Sequence, residues 1–232
     1  MPLLDTDGWA KILGGAEVTV RLVFLSALLG TVIGVLGGVA SGARVRPLRW
    51  LVRIYVELFR GVSALILLFW AAFALPQIFG INLSTTQAAV LALGTNMGAY
   101  ATELARGAIQ AVGRGQTEAA IAINLSFYQR IRHVILPQAF ITMLPPYGNL
   151  LIEVLKASAL VSLLPGVNDI TREAQVMRIN RGRIGESSFD IFMAALIVYL
   201  VLAQVISFAV RAAELRLSKG MDVGRATRTT VK

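Results

Sequence analysis

Apolar stretches of about 20 residues or more recur along this 232-residue chain, and they limit what it can fold into. A helix needs about 20 consecutive apolar residues to cross roughly 30 Å of hydrocarbon. Only 15% of the residues are charged, against about a quarter in soluble domains. The sequence therefore predicts an all-α, polytopic membrane protein with about five transmembrane helices. We expect these helices at about 19–43, 51–79, 86–111, 140–164 and 189–213.

The distribution of basic residues orients the predicted helices, because arginine and lysine collect in the cytoplasmic loops of membrane proteins. Basic residues dominate the loop between the first two spans, the segment between the third and fourth, and the C-terminal tail. The N-terminus is slightly acidic, so we expect it outside and the C-terminus inside. The net charge of +9 then needs no nucleic acid as a partner. The basic residues are Arg44, Arg46, Arg49, Arg53, Arg114, Arg130, Arg132, Arg216, Lys219, Arg225, Arg228 and Lys232.

Composition also excludes several kinds of chemical site. The chain has no cysteine and one histidine, His133, which excludes disulfides, thiolate metal sites and histidine metal clusters. The first fifteen residues lack the basic start and apolar core of a signal peptide. We divide the chain into an extracytoplasmic or interfacial segment (1–15), a transmembrane domain (16–215) that includes a cytoplasmic loop (113–139), and a basic cytoplasmic tail (216–232). A short interfacial helix is expected at Trp9–Ala16.

The loop 113–139 carries more pattern than an ordinary connection. Its alanine-rich run Glu118–Ile123 predicts a short helix, and Asn124 is suited to end it because asparagine tolerates a left-handed conformation. Ser126, with a glutamine three residues later, predicts a capping box that starts a second helix, which Pro137 closes. Periodicity alone leaves two interpretations equal. The segment is either a helix–turn–helix that fits a groove in a partner or an amphipathic loop that packs under the bundle.

A resemblance favours the first interpretation. Glu118-Ala119-Ala120, then a turn, then Ile135-Leu136-Pro137 resembles the EAA loop of the permease subunits of ABC importers. Where that family has glycine at the turn this chain has Asn124, and both residues accept a positive φ. The resemblance implies contact with a separate ATPase subunit. The residues implied are Glu118, Ala119, Ala120, Asn124, Leu125, Ser126, Leu136 and Pro137.

Further motifs resemble the polar amino acid permeases of this superfamily, over roughly residues 15–215. They are Glu57-Leu58-Phe59-Arg60-Gly61, Gly98-Ala99-Tyr100, Glu103 to Gly107, Gly115-Gln116, Leu136-Pro137-Gln138-Ala139 and Asn149. Two departures stand out. Ser63-Ala64-Leu65 replaces the usual Thr-Pro-Leu, and Lys156-Ala157-Ser158-Ala159-Leu160 replaces Lys-Asp-Thr-Ser-Leu. The runs FRGVSALILLFW and TEAAIAINLS look most like the permeases of ectoine and hydroxyectoine uptake systems.

The resemblance also implies the other components of the transporter. The chain has no GxxxxGK[ST] phosphate loop, so we expect no cofactor on it, and ATP and Mg on a partner ATPase dimer. A second permease chain, identical or a sister subunit, would complete the membrane path. An extracytoplasmic solute-binding protein would deliver the solute. The setting would be the lipid bilayer of a bacterial cytoplasmic (inner) membrane.

Charged residues recur inside the predicted spans with a spacing of three: Glu57 and Arg60, Glu103 and Arg106, Glu153 and Lys156. This spacing puts each pair on one helix face, where its members can neutralise each other. Ionisable groups in a membrane are costly and normally face protein or a water-filled path. For the first two pairs a structural role is favoured over ligand contact. Glu153 and Lys156 are predicted to lie deeper in the membrane.

We expect a site for a small zwitterionic solute near the membrane midplane. Asn96 lies in a glycine-flanked stretch where a helix can loosen and line a cavity. Aromatic rings would attract the positive end of the solute, although packing is the usual role of each ring. The expected path residues are Asn96, Tyr100, Asn149, Glu153, Lys156 and Trp70.

Two functions from other classes compete with this one. A secondary transporter of a polar solute would usually have more spans or an internal repeat, and neither is visible. A membrane-embedded hydrolase would need a nucleophile and a base at depth, but His133 falls in the loop 113–139. We therefore expect a permease subunit and no enzyme.

Overall fold

The computed structural model describes residues 4–43, 45–184 and 187–220, except for the side chains of residues 181–184 and 218–220. Four of the basic residues that orient the predicted helices lie outside the described residues: Arg44, Arg225, Arg228 and Lys232. The described part of the chain is all helical. Its elements are α1 (Thr6–Ser41), α2 (Arg46–Gly61), α3 (Ala64–Phe79), α4 (Thr85–Ala111), α5 (Arg114–Ala122), α6 (Phe127–Arg130), α7 (Leu136–Ser158), α8 (Ile170–Ile184) and α9 (Ser188–Gly220).

The core of the bundle is a close contact between α1 and α4, and small residues make it possible. A side chain added at Gly34 would collide with Ala101, including its backbone carbonyl carbon at 3.1 Å. A Cβ at Gly30 would lie 2.9 Å from the Cβ of Met97, and a Cβ at Gly38 would lie 2.5 Å from the Cβ of Ala105. The contacts advance in the same direction on both helices, so α1 and α4 run parallel.

The other long helices alternate in direction around this pair. The Thr85 hydroxyl at the start of α4 donates to the carbonyl of Pro165, which follows α7, at 2.8 Å. Beyond the other end of α4, the Gln138 amide of α7 donates to the Gln116 side chain at 3.2 Å. Hence α4 and α7 are antiparallel. Gly148 of α7 faces Val210 of α9, whereas Lys156, later in α7, shares a cavity wall with Leu200, earlier in α9, so α7 and α9 are antiparallel.

Length and composition mark α1 and α9 as helices that could cross a membrane, and the pair α2–α3 would be a third crossing if it is taken as one span. Many large apolar side chains on the outer faces of α1 and α9 are exposed, including Phe24 (65%) and Phe208 (76%). In contrast, α4 is covered by α1, α2, α3 and α7. A helix surrounded by protein does not need an apolar surface, which explains why α4 is less apolar than α1.

The second predicted span, 51–79, is broken rather than continuous. Its halves α2 and α3 meet at Val62–Ser63 with a bend of 104°. Within α3, residues Trp70–Ala74 form a π-helical turn. Two other boundaries differ from the prediction. The expected interfacial helix Trp9–Ala16 is the first part of α1, and α7 already begins at Leu136.

The start of α8 packs against α1 at the buried residue Asp169. Asp169 is fully buried, and it accepts the backbone N–H groups of Thr171 and Arg172 at 3.2 and 3.1 Å, which caps α8. Burial raises the pKa of Asp169 above its usual value, and these backbone hydrogen bonds oppose the shift. Gly15 of α1 packs against the Asp169 backbone, because a Cβ there would lie 2.9 Å from its carbonyl carbon. The segment after α7 is thereby fixed against α1.

The glycine contact yields a test of the fold. Gly34→Val should destabilise the protein by about 1–3 kcal/mol, because the new side chain meets the backbone of α4 and cannot be accommodated by a rotamer change. Thermal unfolding of the purified protein in detergent would measure this. Gly14→Val is the matched control, since no atom lies within 4 Å of a Cβ at that position. Equal melting temperatures for the two variants would contradict the role given to Gly34.

Candidate functional site

The break between α2 and α3 leaves carbonyl groups at the end of α2 without helical partners. Two side chains of α4 satisfy them. The Asn96 amide donates to the carbonyl of Phe59 at 2.7 Å, and the Tyr100 hydroxyl donates to the carbonyl of Arg60 at 3.4 Å. Buried or half-buried carbonyls need such donors because water cannot reach them freely. Asn96 and Tyr100 therefore hold the break open at a fixed place beside α4.

A cavity of about 400 Å³ lies beside this break. Its walls come from the end of α2, the start of α3, the middle of α4 and the last part of α7. Both departures from the amino acid permease motifs contribute to it, through Ser63 and Ala64 on one side and Ala157 on the other. The lining residues are Arg60, Gly61, Val62, Ser63, Ala64, Leu93, Asn96, Met97, Tyr100, Leu150, Glu153, Val154 and Ala157.

The cavity presents one acid and one base. The carboxylate is that of Glu153 on α7, and the guanidinium is that of Arg60 at the end of α2. The Arg60 guanidinium carbon lies 5.1 Å from the centre of the Tyr100 ring, which is a cation–π contact. A cavity with separated charges of both signs can bind a zwitterion by its two ends.

The structure brings together some of the predicted path residues and not others. Asn96, Tyr100 and Glu153 line the cavity, whereas Asn149 and Trp70 do not. Lys156 lies on another face of α7, against Tyr199 and Leu200 of α9. The i, i+3 spacing of Glu153 and Lys156 thus does not make an ion pair, and the expectation that they neutralise each other is wrong.

Of the other two predicted ion pairs, one forms and one does not. Glu103 and Arg106 form an ion pair as expected. Glu57 instead binds Arg53, with its Oε1 3.2 Å from the arginine Nε, which leaves Arg60 free to face the cavity. The sequence placed Arg60 in a family motif and in a structural pair, and did not indicate that it lines a cavity. The helix break that places it there has no strong local signal, because Val62 and Ser63 occur in helices as well.

The loop 113–139 has the predicted helix–turn–helix. Helix α5 ends in a turn where Asn124 has a φ of +63°, the left-handed value expected of it. The N–H of Leu125 closes that turn on the carbonyl of Ala120 at 3.0 Å. Ser126 and Gln129 form the predicted capping box at the start of α6. The site residues here are exposed or half-buried, except for Ala120, which is 3% exposed.

The second helix of this segment does not end at Pro137. A π-helical turn, Ile131–Ile135, joins α6 to α7, and Pro137 lies in the first turn of α7. Pro137 has no N–H to donate to the preceding turn, and the widened π-helical turn lies directly before it. The predicted fourth span and the second helix of the loop are therefore one continuous helical path.

Comparison with known proteins places these features in a family. The family model described as "Binding-protein-dependent transport system inner membrane component" matches residues 30–219. A probable amino-acid ABC transporter permease of Sinorhizobium fredii is 39% identical over 89% of this chain and 88% of its own length. The arginine transport system permease of Bacillus subtilis is 32% identical over 89% and 92%. The glutamine transport system permease of Escherichia coli K12 is 33% identical over the same shares.

Solved structures agree with this. The crystal structure of an amino acid ABC transporter with histidines has a chain that matches with a TM-score of 0.80 and 31% identity, over 89% of this chain and 94% of that one. The inward-facing methionine transporter MetNI matches with a TM-score of 0.74 over 92% and 99%. At 23% identity, this second match speaks for the fold alone.

The contacts of Asn96 can be tested separately from transport. Asn96→Leu should lower the free energy of unfolding by about 1–3 kcal/mol, because it leaves the Phe59 carbonyl without its donor. Asn149→Leu is the matched control, since Asn149 is an exposed amide on α7 that makes no side-chain hydrogen bond. Thermal unfolding in detergent measures both. The role of Asn96 would be refuted by a loss no greater than that of the control.

Proposed function

This chain belongs to the inner-membrane components of binding-protein-dependent transport systems, and from that premise we propose how it works as the permease subunit of an amino acid ABC importer. We propose that five membrane crossings form one half of a path, that the loop 113–139 couples it to a separate ATPase, and that the solute is a small zwitterion. The observation that carries the proposal is the cavity at the break between α2 and α3, which contains Arg60 and Glu153.

The alternation of helix directions supports five crossings. Because α1 and α4 run parallel, the chain must return across the same thickness between them, and the bent pair α2–α3 is the only described segment that can do so. Helices α7 and α9 add the fourth and fifth crossings. The ends of α1 and α4 and the starts of α2 and α7 then share one side of the membrane. Arginines dominate that side, so it is the cytoplasmic one and the N-terminus is outside.

The exposed surface of the loop 113–139 supports coupling to an ATPase. Ile121, Ile123, Phe127 and Tyr128 are 54–71% exposed, on a segment that lies outside the predicted spans. Large apolar side chains in such a position mark an interaction site. In this proposal Glu118, Ala119 and Ala120 enter a cleft on the ATPase, and the turn Asn124-Leu125-Ser126 with Leu136-Pro137 sets the angle of the segment.

The pairing of charges in the cavity supports a zwitterionic solute. Arg60 would bind its carboxylate with a planar fork of donors, and Glu153 would bind its positive end. The departures from the family motif at Ser63, Ala64 and Ala157 all lie in the cavity wall. They replace residues of the amino acid permeases with smaller or less polar ones, which leaves room for a ring and removes one carboxylate, and this favours a ring-shaped zwitterion such as ectoine or hydroxyectoine over an ordinary polar amino acid. Tyr100 would supply an aromatic face.

Two permease chains, an ATPase dimer and an extracytoplasmic binding protein complete the proposed importer. The cavity is open on the surface of a single chain, so a second chain, identical or a sister subunit, is needed to enclose it. ATP and Mg would bind only to the ATPase subunits.

The coupling role predicts the effect of a charge reversal. Glu118→Lys should weaken binding of the ATPase by about tenfold or more, because the lysine would lose its hydration in a cleft that accommodates a carboxylate. Copurification of the ATPase with the permease, and ATP hydrolysis stimulated by the loaded binding protein, would both fall. Glu17→Lys is the matched control, because Glu17 is exposed near the other end of the molecule. If both variants kept their ATPase, the proposed docking face would be abandoned.

The solute site predicts opposite outcomes for two neighbours on α7. Glu153→Gln should lower ATP-driven uptake at low solute concentration by about tenfold, since a charge-assisted contact contributes about 1.5–3 kcal/mol. Lys156→Gln should change uptake by less than about twofold, because Lys156 faces α9 and not the cavity. Uptake into vesicles that contain the whole importer measures both variants. Unchanged uptake by Glu153→Gln would remove Glu153 from the site.

Secondary transport remains the alternative to test. The importer should lose uptake when ATP is removed and keep it when ion gradients are collapsed. The reverse result would favour a secondary transporter and would refute the coupling to an ATPase.

A further inference from the structure

A second polar cavity lies between α2 and α4, next to the cavity that we propose for the solute. Its volume is about 500 Å³, and Arg60 is part of the wall of both cavities. From Arg60 it extends along α2 to Arg46, at the end of the bundle where α1 finishes. The lining residues are Ser41, Arg46, Arg49, Trp50, Val52, Arg53, Val56, Glu57, Arg60, Thr102, Glu103 and Arg106.

The polar residues of α2 form a single stripe. Positions 46, 49, 53, 57 and 60 are all charged and recur every three or four residues, which places them on one helix face. The opposite face carries exposed apolar side chains at Leu48, Leu51, Ile54 and Leu58. The stripe covers about 21 Å of helix at 1.5 Å per residue. It therefore reaches from the solute cavity to the membrane surface on the proposed cytoplasmic side.

The charges in this cavity do not cancel. Five arginines face two glutamates. Glu57 is bound to Arg53 and Glu103 to Arg106. Among the residues that the structure describes, Arg46, Arg49 and Arg60 have no carboxylate partner. A cleft with an excess of one charge focuses the electric field and raises the local concentration of ions of the opposite sign by 10-fold or more.

We propose that this second cavity is the inner part of the solute path, a cationic vestibule that favours solutes with a carboxylate and disfavours solutes with a net positive charge. The inference rests on the proposed permease function and adds a preference for solutes with a carboxylate at the cytoplasmic end of the path. An unneutralised arginine at the depth of Arg60 costs more free energy in lipid than in a water-filled path. The shared residue Arg60 joins the two cavities into one route.

The same arginines could bind a lipid phosphate at the membrane surface. The length of the stripe favours a path, since a headgroup occupies only the interfacial region, whereas the stripe continues about 21 Å inward to Arg60. The experiment below separates the two sources of negative charge.

The absence of cysteine from the chain makes a direct test available. Val52→Cys places a thiol in the cavity and keeps all five arginines. In the complete importer in phosphatidylcholine vesicles, an anionic methanethiosulfonate reagent should label it at least about tenfold faster than a cationic one, after correction for their rates with a free thiol. Leu51→Cys, one residue away on the lipid-facing side, should stay unlabelled. Ser41→Cys is a second cavity position that keeps the test open if Val52→Cys does not fold.

The arginines themselves can then be removed. In the Val52→Cys background, the double change Arg46→Gln and Arg49→Gln should lower the ratio of anionic to cationic labelling about threefold or more, because two unneutralised charges near the thiol are gone. Arg178→Gln on α8, at the other end of the molecule, should leave the ratio unchanged.

Three outcomes would overturn the inference. They are an unreactive thiol at both cavity positions, equal rates for the two reagents, and labelling that phosphatidylglycerol suppresses, which would assign the cavity to a lipid phosphate.

ATP-driven uptake of glutamine, glutamate and ectoine is measured on the same vesicles. If Val52→Cys vesicles take up a solute but fail the labelling test, only the vestibule is refuted. If wild-type vesicles show no ATP-dependent uptake, the proposed function itself fails.

Discussion

The close approach of α1 and α4 is the constraint on which the rest of the fold depends. Neither helix has a hydrophobic driving force toward the other in lipid, so they associate by packing and need small residues at the contact. Gly30, Gly34 and Gly38 provide it on α1, facing Met97, Ala101 and Ala105. Because this pair is parallel, the chain must reverse its direction between the end of α1 and the start of α4. The bent α2–α3 follows from it.

Placing α4 at the centre also determines the site. Its polar side chains are surrounded by protein, where Asn96 and Tyr100 meet the carbonyls at the end of α2. These two contacts replace the helical hydrogen bonds that the break removes. The same residues then line the cavity next to Arg60 and Glu153. The cavity thus lies where the free carbonyls of α2 find their donors. Its polar residues Asn96 and Tyr100 stabilise the break whether or not a solute is bound.

Much of this could be predicted from the sequence where the signal is local. The all-helical fold follows from apolar length, the left-handed Asn124 from its short amide side chain, and the capping box from the Ser126 spacing. The break at Val62–Ser63 could not be predicted, because the two donors that stabilise it lie on α4, about 40 residues away. For the same reason the pairing of Glu153 with Lys156 was wrong. Their spacing allows an ion pair, but helix packing directs them to different neighbours.

The glycines around Asn96 illustrate the same limit. Their composition suggested a loosened helix, yet α4 is continuous from Thr85 to Ala111. Gly94 and Gly98 instead receive Leu29 and Ile33 of α1, and Gly98 also leaves room for the Tyr55 hydroxyl, which donates to the carbonyl of Thr95 at 2.7 Å. A glycine that admits a neighbour and a glycine that loosens a helix look alike until the neighbour is known.

The continuity of α6, the π-helical turn and α7 has a mechanical consequence. Phe127 and Ser158 are the ends of one helical rod, about 45 Å long at 1.5 Å per residue. Glu153 is located close to its far end. A helix of this length tilts as one body. A small displacement of Phe127 therefore also moves Glu153, and the closely packed contact between Gly148 and Val210 lies between them as the point of rotation. The π-helical turn holds an extra residue in its coil, and Pro145 and Pro146 remove hydrogen bonds from α7, so bending costs least at these two places along the helix.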